Sequence, residues 1–213
     1  MSDTTPQLFR FLQQENARLQ AENQALRDEV VALRHYLGAL DELYWAAQRL
    51  SSEQNLIELL DSILYHALRL VKADDGSVLL LDEDTDELVF AVVHGDIRGE
   101  LRGYRISADT GVAGWVVAEA EPAIVNNPRQ DWRFSPQVDE SFNFTTRSLL
   151  CVPMVAGNKV VGAIELLNKH NGEPFVEADA SLLAILGHVA ATALETMRVR
   201  IEAEETTRSA SQA

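Results

Sequence analysis

Leucine recurs every seven positions at the start of the chain, at Leu12, Leu19, Leu26, Leu33 and Leu40. Four positions after each of the first four stand Asn16, Asn23, Val30 and Leu37, with Phe9 ahead of them. These are the d and a positions of a heptad, and they predict a coiled-coil helix over residues 1–50. Asparagine at an a position costs stability but pairs with itself across a parallel dimer and fixes the register. The flanks agree with that arrangement. Glu15, Glu22 and Glu29 fall at g, and Gln20, Arg27 and Arg34 fall at e of the following heptad. Glu22 to Arg27 and Glu29 to Arg34 are therefore spaced as ion pairs between parallel strands. A helix packed on its own domain would carry a wider apolar stripe. A DNA-binding zipper would need a basic helix just upstream, where only Arg10 stands.

The helical period continues through Tyr44, Ala47 and Leu50, and Ser51 with Gln54 offers capping chemistry for a second helix. Residues around 48–53 read as the joint between coil and globule. The second helix carries Leu56, Leu59, Leu60, Ile63, Leu64, Ala67, Leu68 and Val71, a stripe wide enough for more than one partner. From Asp74 the period changes to that of strands. Strands are predicted at Gly76–Leu81 and Leu88–Val93, joined by the acidic turn 82–87, and again at Tyr104–Ile106 and Ala123–Val125. A short helix at Trp115–Glu119 has Asp109 or Thr110 as its cap, and Gly111 and Gly114 allow a backbone or a ligand to approach closely. After the polar loop Asn126–Arg133, a helix is expected at Pro136–Phe144. Strong strands follow at Arg147–Val155 and Lys159–Leu167, around a turn at Ala156-Gly157-Asn158. Pro153 marks an edge, a strand end or a bulge. Asp179–Arg200 is a long helix, and residues 199–213 read as its end and a polar tail. The expected class is α+β, an antiparallel sheet with helices packed around it.

Composition narrows the chemistry. The 213 residues carry a formal charge of −15, from 18 basic and 33 acidic side chains, which disfavours a nucleic-acid surface. No apolar run approaches the roughly 20 residues of a membrane span, and the N-terminus lacks a secretory pattern. A cytoplasmic protein without nucleic-acid or membrane partners is expected. A single cysteine, Cys151, excludes an intramolecular disulfide and a cysteine-built zinc cage. The turn at 82–87 lacks the glycine and spacing of a calcium loop. No metal or cofactor is required by the sequence.

Three blocks then identify the chain as similar to a GAF domain over roughly Ser51–Arg198. They are Gly111-Val112-Ala113-Gly114-Trp115-Val116, Arg147–Met154 and Val161–Lys169. The nearest flavour is that of regulatory GAF domains in cyclic-nucleotide phosphodiesterases, where an Asn-Lys is followed by Phe, three residues and Asp-Glu. Asn168, Lys169, Phe175 and Asp179 match that pattern, and Ala180 replaces the final Glu. The resemblance implies a six-stranded antiparallel sheet with a small-molecule pocket on one face. It places the first and last helices on the other face, where many such domains dimerise.

The resemblance also assigns residues. Val112 and Ala113 match positions facing a ligand phosphate, which a helix N-terminus can hold without a lysine. Ser135, Asp139, Phe142 and Thr146 match a lid helix and its flanks, with lid capping or core packing as the alternatives. Glu165 matches a pocket position and could read a donor edge, or be a surface strand residue. His94 stands where an acidic residue often reads the base. Lys169 and Asp179, with Asn168 and Phe175, match a structural lock between the last strand and the last helix. Enzymatic relatives such as free methionine sulfoxide reductases need a nucleophilic and a resolving thiol, whereas Cys151 is alone in an apolar run. The expected protein is a non-catalytic homodimeric sensor that binds a small molecule, with a cyclic nucleotide among the candidates, and signals through its helices to another protein. The alternative is a ligand-free dimerisation scaffold.

Overall fold

A computed structural model describes residues 4–48, 53–96 and 98–210. The expected joint, the Ser51 cap, and the side chains of Leu40, Glu29 and Arg34 lie outside the described residues. The chain divides into two compact units, Met1–Asp41 and Glu42–Ala213.

The first unit consists of α1 (Thr4–Gln48), an uninterrupted helix that reaches beyond the unit's end. Phe9, Leu12, Leu19, Leu26, Val30, Leu33 and Leu37 are between 46% (Val30) and 63% (Leu37) exposed along it. Asn16 and Asn23 are exposed as well. Large apolar side chains at heptad spacing thus have no cover within this unit.

The second unit is built on one antiparallel sheet. Its strands are β1 (Ala73–Asp82), β2 (Glu87–His94), β3 (Arg105–Ser107), β4 (Ala123–Val125), β5 (Leu149–Ala156) and β6 (Lys159–Lys169). They lie in the order β3-β2-β1-β6-β5-β4, every neighbouring pair antiparallel. The helices are α2 (Glu53–Val71), α3 (Arg98–Leu101), α4 (Gly111–Glu119), α5 (Gln137–Phe142) and α6 (Glu177–Ala210). Helices α2 and α6 pack against each other and on one sheet face. There Leu60, Ile63, Leu64, Leu183, Leu186 and Ala190 are fully buried, so the wide stripe of α2 has two partners. On the other face Val112, Ala113 and Val116 of α4 join Phe90, Val93, Leu149, Cys151 and Ala163 in a second apolar cluster.

Local chemistry explains several joints. The acidic turn between β1 and β2 is gathered by Arg105 of β3, whose Nη1 donates to Asp82 Oδ2 (2.9 Å), Thr85 Oγ1 (3.1 Å) and Glu87 Oε2 (2.7 Å). The β5–β6 hairpin turns through Gly157 and Asn158, with Gly157 at φ 60°, where glycine carries no steric penalty. Pro153 pairs with Ala163 on β6, while β4 extends only as far as Cys151, so β5 is locally an edge at the proline.

Four sequence expectations change. Residues 199–210 continue α6 instead of forming a tail. Alanine and glutamate favour helix, and Arg198–Glu202 and Arg200–Glu204 pair at i,i+4. Neither Asp109 nor Thr110 caps α4. Thr110 is the N-cap residue, but its hydroxyl donates to Asp109 Oδ1 at 3.1 Å and no side-chain cap bond forms. Three short helical segments, α3, Pro128–Gln130 and His170–Gly172, arise where the apolar period is too short to signal them. Finally, α6 is long and apolar enough to cross a membrane by composition, yet 44% of that stretch is buried within the protein.

Candidate ligand cavity

A cavity with an empty volume of about 760 Å3, its open mouth included, lies on the sheet face opposite α2 and α6. Its floor is formed by Asp75 and Ser77 of β1, Phe90 and Val93 of β2, Leu149 of β5, and Glu165 and Leu167 of β6. Thr110–Ala113 at the start of α4 form one wall, and Phe134–Ser135, Gln137–Asp139, Phe144 and Thr146 form the cover.

The sheet register places the floor. Ser77 is directly opposite Val93 on one side and Glu165 on the other, so the three side chains share a face. Ser77 Oγ donates to Glu165 Oε1 at 2.6 Å. Glu165 is 9% exposed, and burial raises its pKa from 4.5 to about 7, against the lowering effect of Ser77 and with a further rise from nearby Asp139. Burial also raises Asp75, although Asn168 Nδ2 donates to its Oδ2 at 3.1 Å. Cys151, paired with Glu165 across the β5–β6 ladder, is fully buried, and its thiol is pushed up by burial and then by Glu165. The thiolate that nucleophilic chemistry needs is thereby disfavoured.

The cover is tied down by one carboxylate. Asp139 accepts from Arg129 Nη2 (2.9 Å), from the Thr146 amide (3.0 Å) and, at its other oxygen, from Thr146 Oγ1 (2.7 Å). This holds α5 to the chain leaving it. Ser135 stands at the rim, and the Gln137 amide reaches its hydroxyl only at 3.5 Å, so it does not provide a strong cap. Arg133 adds a second brace, bidentate to Asp131 (2.9 and 2.8 Å) and stacked 4.5 Å above the ring of Trp115 on α4.

Seven expected residues thus surround one cavity, namely Val112, Ala113, Ser135, Asp139, Thr146, Glu165 and His94. One assignment holds in part and one needs correction. His94 is at the cavity's edge, but its imidazole is engaged by α2. Its Nε2 lies 2.9 Å from Asp61 Oδ1 on α2, and its ring is 6.4 Å from that of Tyr65. The cause is a bulge: Val78 pairs with Val92 and Leu79 with Phe90, leaving Ala91 as the extra residue. Val93 therefore shares a face with Phe90, and His94 turns to the helices. Phe142, by contrast, does not line the cavity. It stacks edge-on against Tyr104 at 5.1 Å, and Phe144 lines the space instead.

Behind the cavity, Asn168 joins three segments. Its Oδ1 accepts from the Arg147 amide (2.8 Å), and its Nδ2 donates to Thr145 O (3.2 Å) and to Asp75. Lys169 then pairs with Asp179 of α6 and lies over the Phe175 ring at 5.7 Å, while Asp179 also accepts the Val176 amide at 2.9 Å. Phe175 is buried, held at its backbone by Asn126 (2.8 and 3.0 Å). The roles of Phe90, Asp75, Phe134 and Phe144 in the lining had no spacing signal in the sequence; only the register and the loop path bring them together.

The GAF domain family model matches residues 53–195, and the chain belongs to this family. The chain is 31% identical over 119 residues to the "Probable 3',5'-cyclic phosphodiesterase pde-5" of Caenorhabditis elegans, covering 52% of this chain and 16% of that protein. It is 29% identical over 168 residues to the "Dual 3',5'-cyclic-AMP and -GMP phosphodiesterase 11" of Drosophila melanogaster, covering 71% of this chain and 12% of that one. The chain therefore spans less than a fifth of either relative. In fold it resembles the GAF domain of a phosphoenolpyruvate-protein phosphotransferase from Coxiella burnetii, with a TM-score of 0.67 at 16% identity over 78% of this chain and 95% of that one. It also resembles free methionine-R-sulfoxide reductase from Neisseria meningitidis, with a TM-score of 0.63 at 20% identity over 78% and 91%. The protein is thus an α+β GAF domain preceded by a helix, of the kind found in signalling proteins.

Proposed function

We propose that this chain is a homodimeric sensor whose GAF cavity binds a small molecule and whose helices carry the signal to a protein partner. The observation that carries the reading is the cavity itself. Buried polar groups are placed around an apolar space between the sheet and α4, as ligand sites require. At one side Gly111, Val112 and Ala113 begin α4, where the first amides of a helix lack intrahelical acceptors and no side chain caps them. At the other side are Ser77 and Glu165. A molecule with an acceptor or anionic end and a donor end suits that polarity. A cyclic nucleotide is one such molecule, and the phosphodiesterase relatives favour it as the first to test.

Dimerisation rests on the exposed heptad residues Leu12, Leu19, Leu26, Val30, Leu33 and Leu37 of α1, together with Asn16 and Asn23. A second copy of the same helix covers such a stripe and pairs each asparagine with its equal. The chain has no catalytic role in this reading; Cys151 is a core residue and the chemistry belongs to the partner. A cytoplasmic setting accords with a lone thiol and an acidic chain.

Thermal unfolding with cyclic AMP and cyclic GMP is the test, because a ligand bound only by the folded state raises stability with its concentration. A concentration-dependent rise that is lost in Ala113→Trp, which fills the cavity, supports the reading. No rise with either nucleotide, and no small molecule retained by the purified protein, contradicts it in favour of a ligand-free scaffold.

A further inference from the structure

The loop that leads into α5 presents a tryptophan to solvent. The Phe134 amide donates to Asp131 O at 3.1 Å, which closes a turn over residues 131–134, and Trp132 stands second in it. Its side chain is 84% exposed, more than any other large apolar side chain among the described residues. The residues on either side of it hold each other, since Arg133 is bidentate to Asp131 and stacks on the Trp115 ring of α4. The backbone beneath Trp132 is therefore braced, and little of its freedom remains to be lost when the ring is covered. Large aromatic side chains held in this way serve as anchors in protein interfaces.

Trp132 lines a groove together with Gly114, Trp115 and Ala118 of α4, Phe134 and Asp109. Trp115, Ala118 and Trp132 are no part of the ligand cavity's lining, so the groove is a separate surface. Its charge is negative. Arg133 also lines it, but Asp131 balances that charge, and Arg129, 5.3 Å above the Phe134 ring, is taken by Asp139. Asp109 is exposed and accepts from the Thr110 hydroxyl at 3.1 Å, and among the described residues no arginine or lysine pairs with it. Glu119 follows Trp115 by four residues, so it stands one turn further along the same side of α4, and it is exposed as well.

We propose that this groove docks a segment of a partner protein that carries an arginine or lysine beside an apolar side chain. The apolar side chain covers the groove between the two indoles, and the cation meets the Trp132 ring and the carboxylates of Asp109 and Glu119. The chain builds the same arrangement once within itself, with Arg133 held between a carboxylate and the Trp115 ring. Charge selects the occupant. A second copy of this chain carries a formal −15 and brings the same acids to the contact. A nucleic acid is repelled in the same way. Docking here requires neither a ligand in the cavity nor a particular oligomer.

Two blocked peptides of opposite charge, Leu-Arg-Ala-Leu-Arg and Leu-Glu-Ala-Leu-Glu, test this on the full chain. Affinity is read by fluorescence anisotropy of the labelled peptides. The contact is located by fluorine NMR of protein carrying 5-fluorotryptophan, with the Trp132 signal assigned by its loss in Trp132→Phe. The expected result is saturable binding of the basic peptide that moves the Trp132 signal and weakens with salt, and no binding of the acidic one. Affinity is expected to fall at least about fivefold in Trp132→Ala, and likewise in Asp109→Asn with Glu119→Gln. All three side chains are exposed, and the fluorine signal is read on the unsubstituted protein, which needs no variant to fold. Equal binding of the two peptides, a basic peptide that leaves the Trp132 signal in place, unchanged affinity in either variant, or no binding of the basic peptide overturns the proposal. A Trp132 signal that moves as the protein alone is concentrated assigns the face to a second copy and overturns it as well.

Discussion

Ser77 on β1 donates its hydroxyl hydrogen to Glu165 on β6 at 2.6 Å, directly across the ladder that joins the two central strands. The bond holds a buried acid in the middle of the sheet, where an apolar side chain would pack at no electrostatic cost. Such an acid affects stability as well as recognition.

The sign follows from its titration. Glu165 titrates near 7 in the fold and near 4.5 when unpaired and exposed. The folded protein therefore keeps a proton that the unfolded chain releases, and stability falls as pH rises from 4.5 to about 7, then levels. Glu165→Gln removes that fall. The variant is expected to be more stable than the parent at pH 8 by up to about 3 kcal/mol, and nearly equal to it at pH 4. Urea unfolding at both pH values measures this, and a parallel pH dependence in the two proteins contradicts it.

Lys169 and Asp179 form a largely buried pair, 10% and 15% exposed at their side chains, between the last strand and α6. Removing one partner strands the other charge. Asp179→Ala is expected to lower stability by about 3 kcal/mol and to weaken whatever the cavity binds. Asp179→Asn keeps an acceptor for the Val176 amide and loses less. An unchanged melting temperature in Asp179→Ala would refute the lock.

The two glycines of the α4 motif differ in why they are glycine. A Cβ on Gly114 would lie 2.6 Å from Ala108 O and 2.9 Å from Asp109 C, both backbone atoms that cannot swing away. A Cβ on Gly111 would make only an ordinary contact with Ser135 Cβ (3.7 Å), but φ is +73°, where a side chain costs about 1–2 kcal/mol. Gly111→Ala is expected to be mildly destabilising, and Gly114→Ala to disrupt the α4 approach and the cavity wall. Chemical denaturation of the two variants ranks them, and equal losses contradict the distinction.

These cases show what was legible in the sequence. Alternation and turn residues located β1, β2, β4, β5 and β6, because one face of each is buried against a different layer. The motif blocks brought Val112, Ala113 and Glu165 to one space. The facing of His94 was not legible, since a single extra residue, Ala91, reverses every side chain beyond it without altering composition. Phe142 and Phe144 are equally apolar and two apart, and only the left-handed Asn143 between them (φ 50°) sends one to Tyr104 and the other to the cavity. The partnership of Asp139 with Arg129 and Thr146 depends on loop closure, for which the sequence has no period.

Along α1, Leu19 and Leu26 are 54% and 55% exposed in the single chain. Leu19→Ala with Leu26→Ala is expected to shift the protein from dimer to monomer at micromolar concentration. Asn16→Val with Asn23→Val is expected to keep association while relaxing its register or number. Sedimentation equilibrium reads both, and a dimer untouched by the leucine pair contradicts the zipper.

Native mass spectrometry of the full chain as purified tests the sensor reading most directly. The expected result is a dimer that retains, or takes up on addition, one small molecule per chain, with uptake abolished in Ala113→Trp and the dimer unaffected. A monomer contradicts the coiled coil, and a dimer that takes up the same molecules with the cavity filled contradicts the assignment of the cavity as the ligand site.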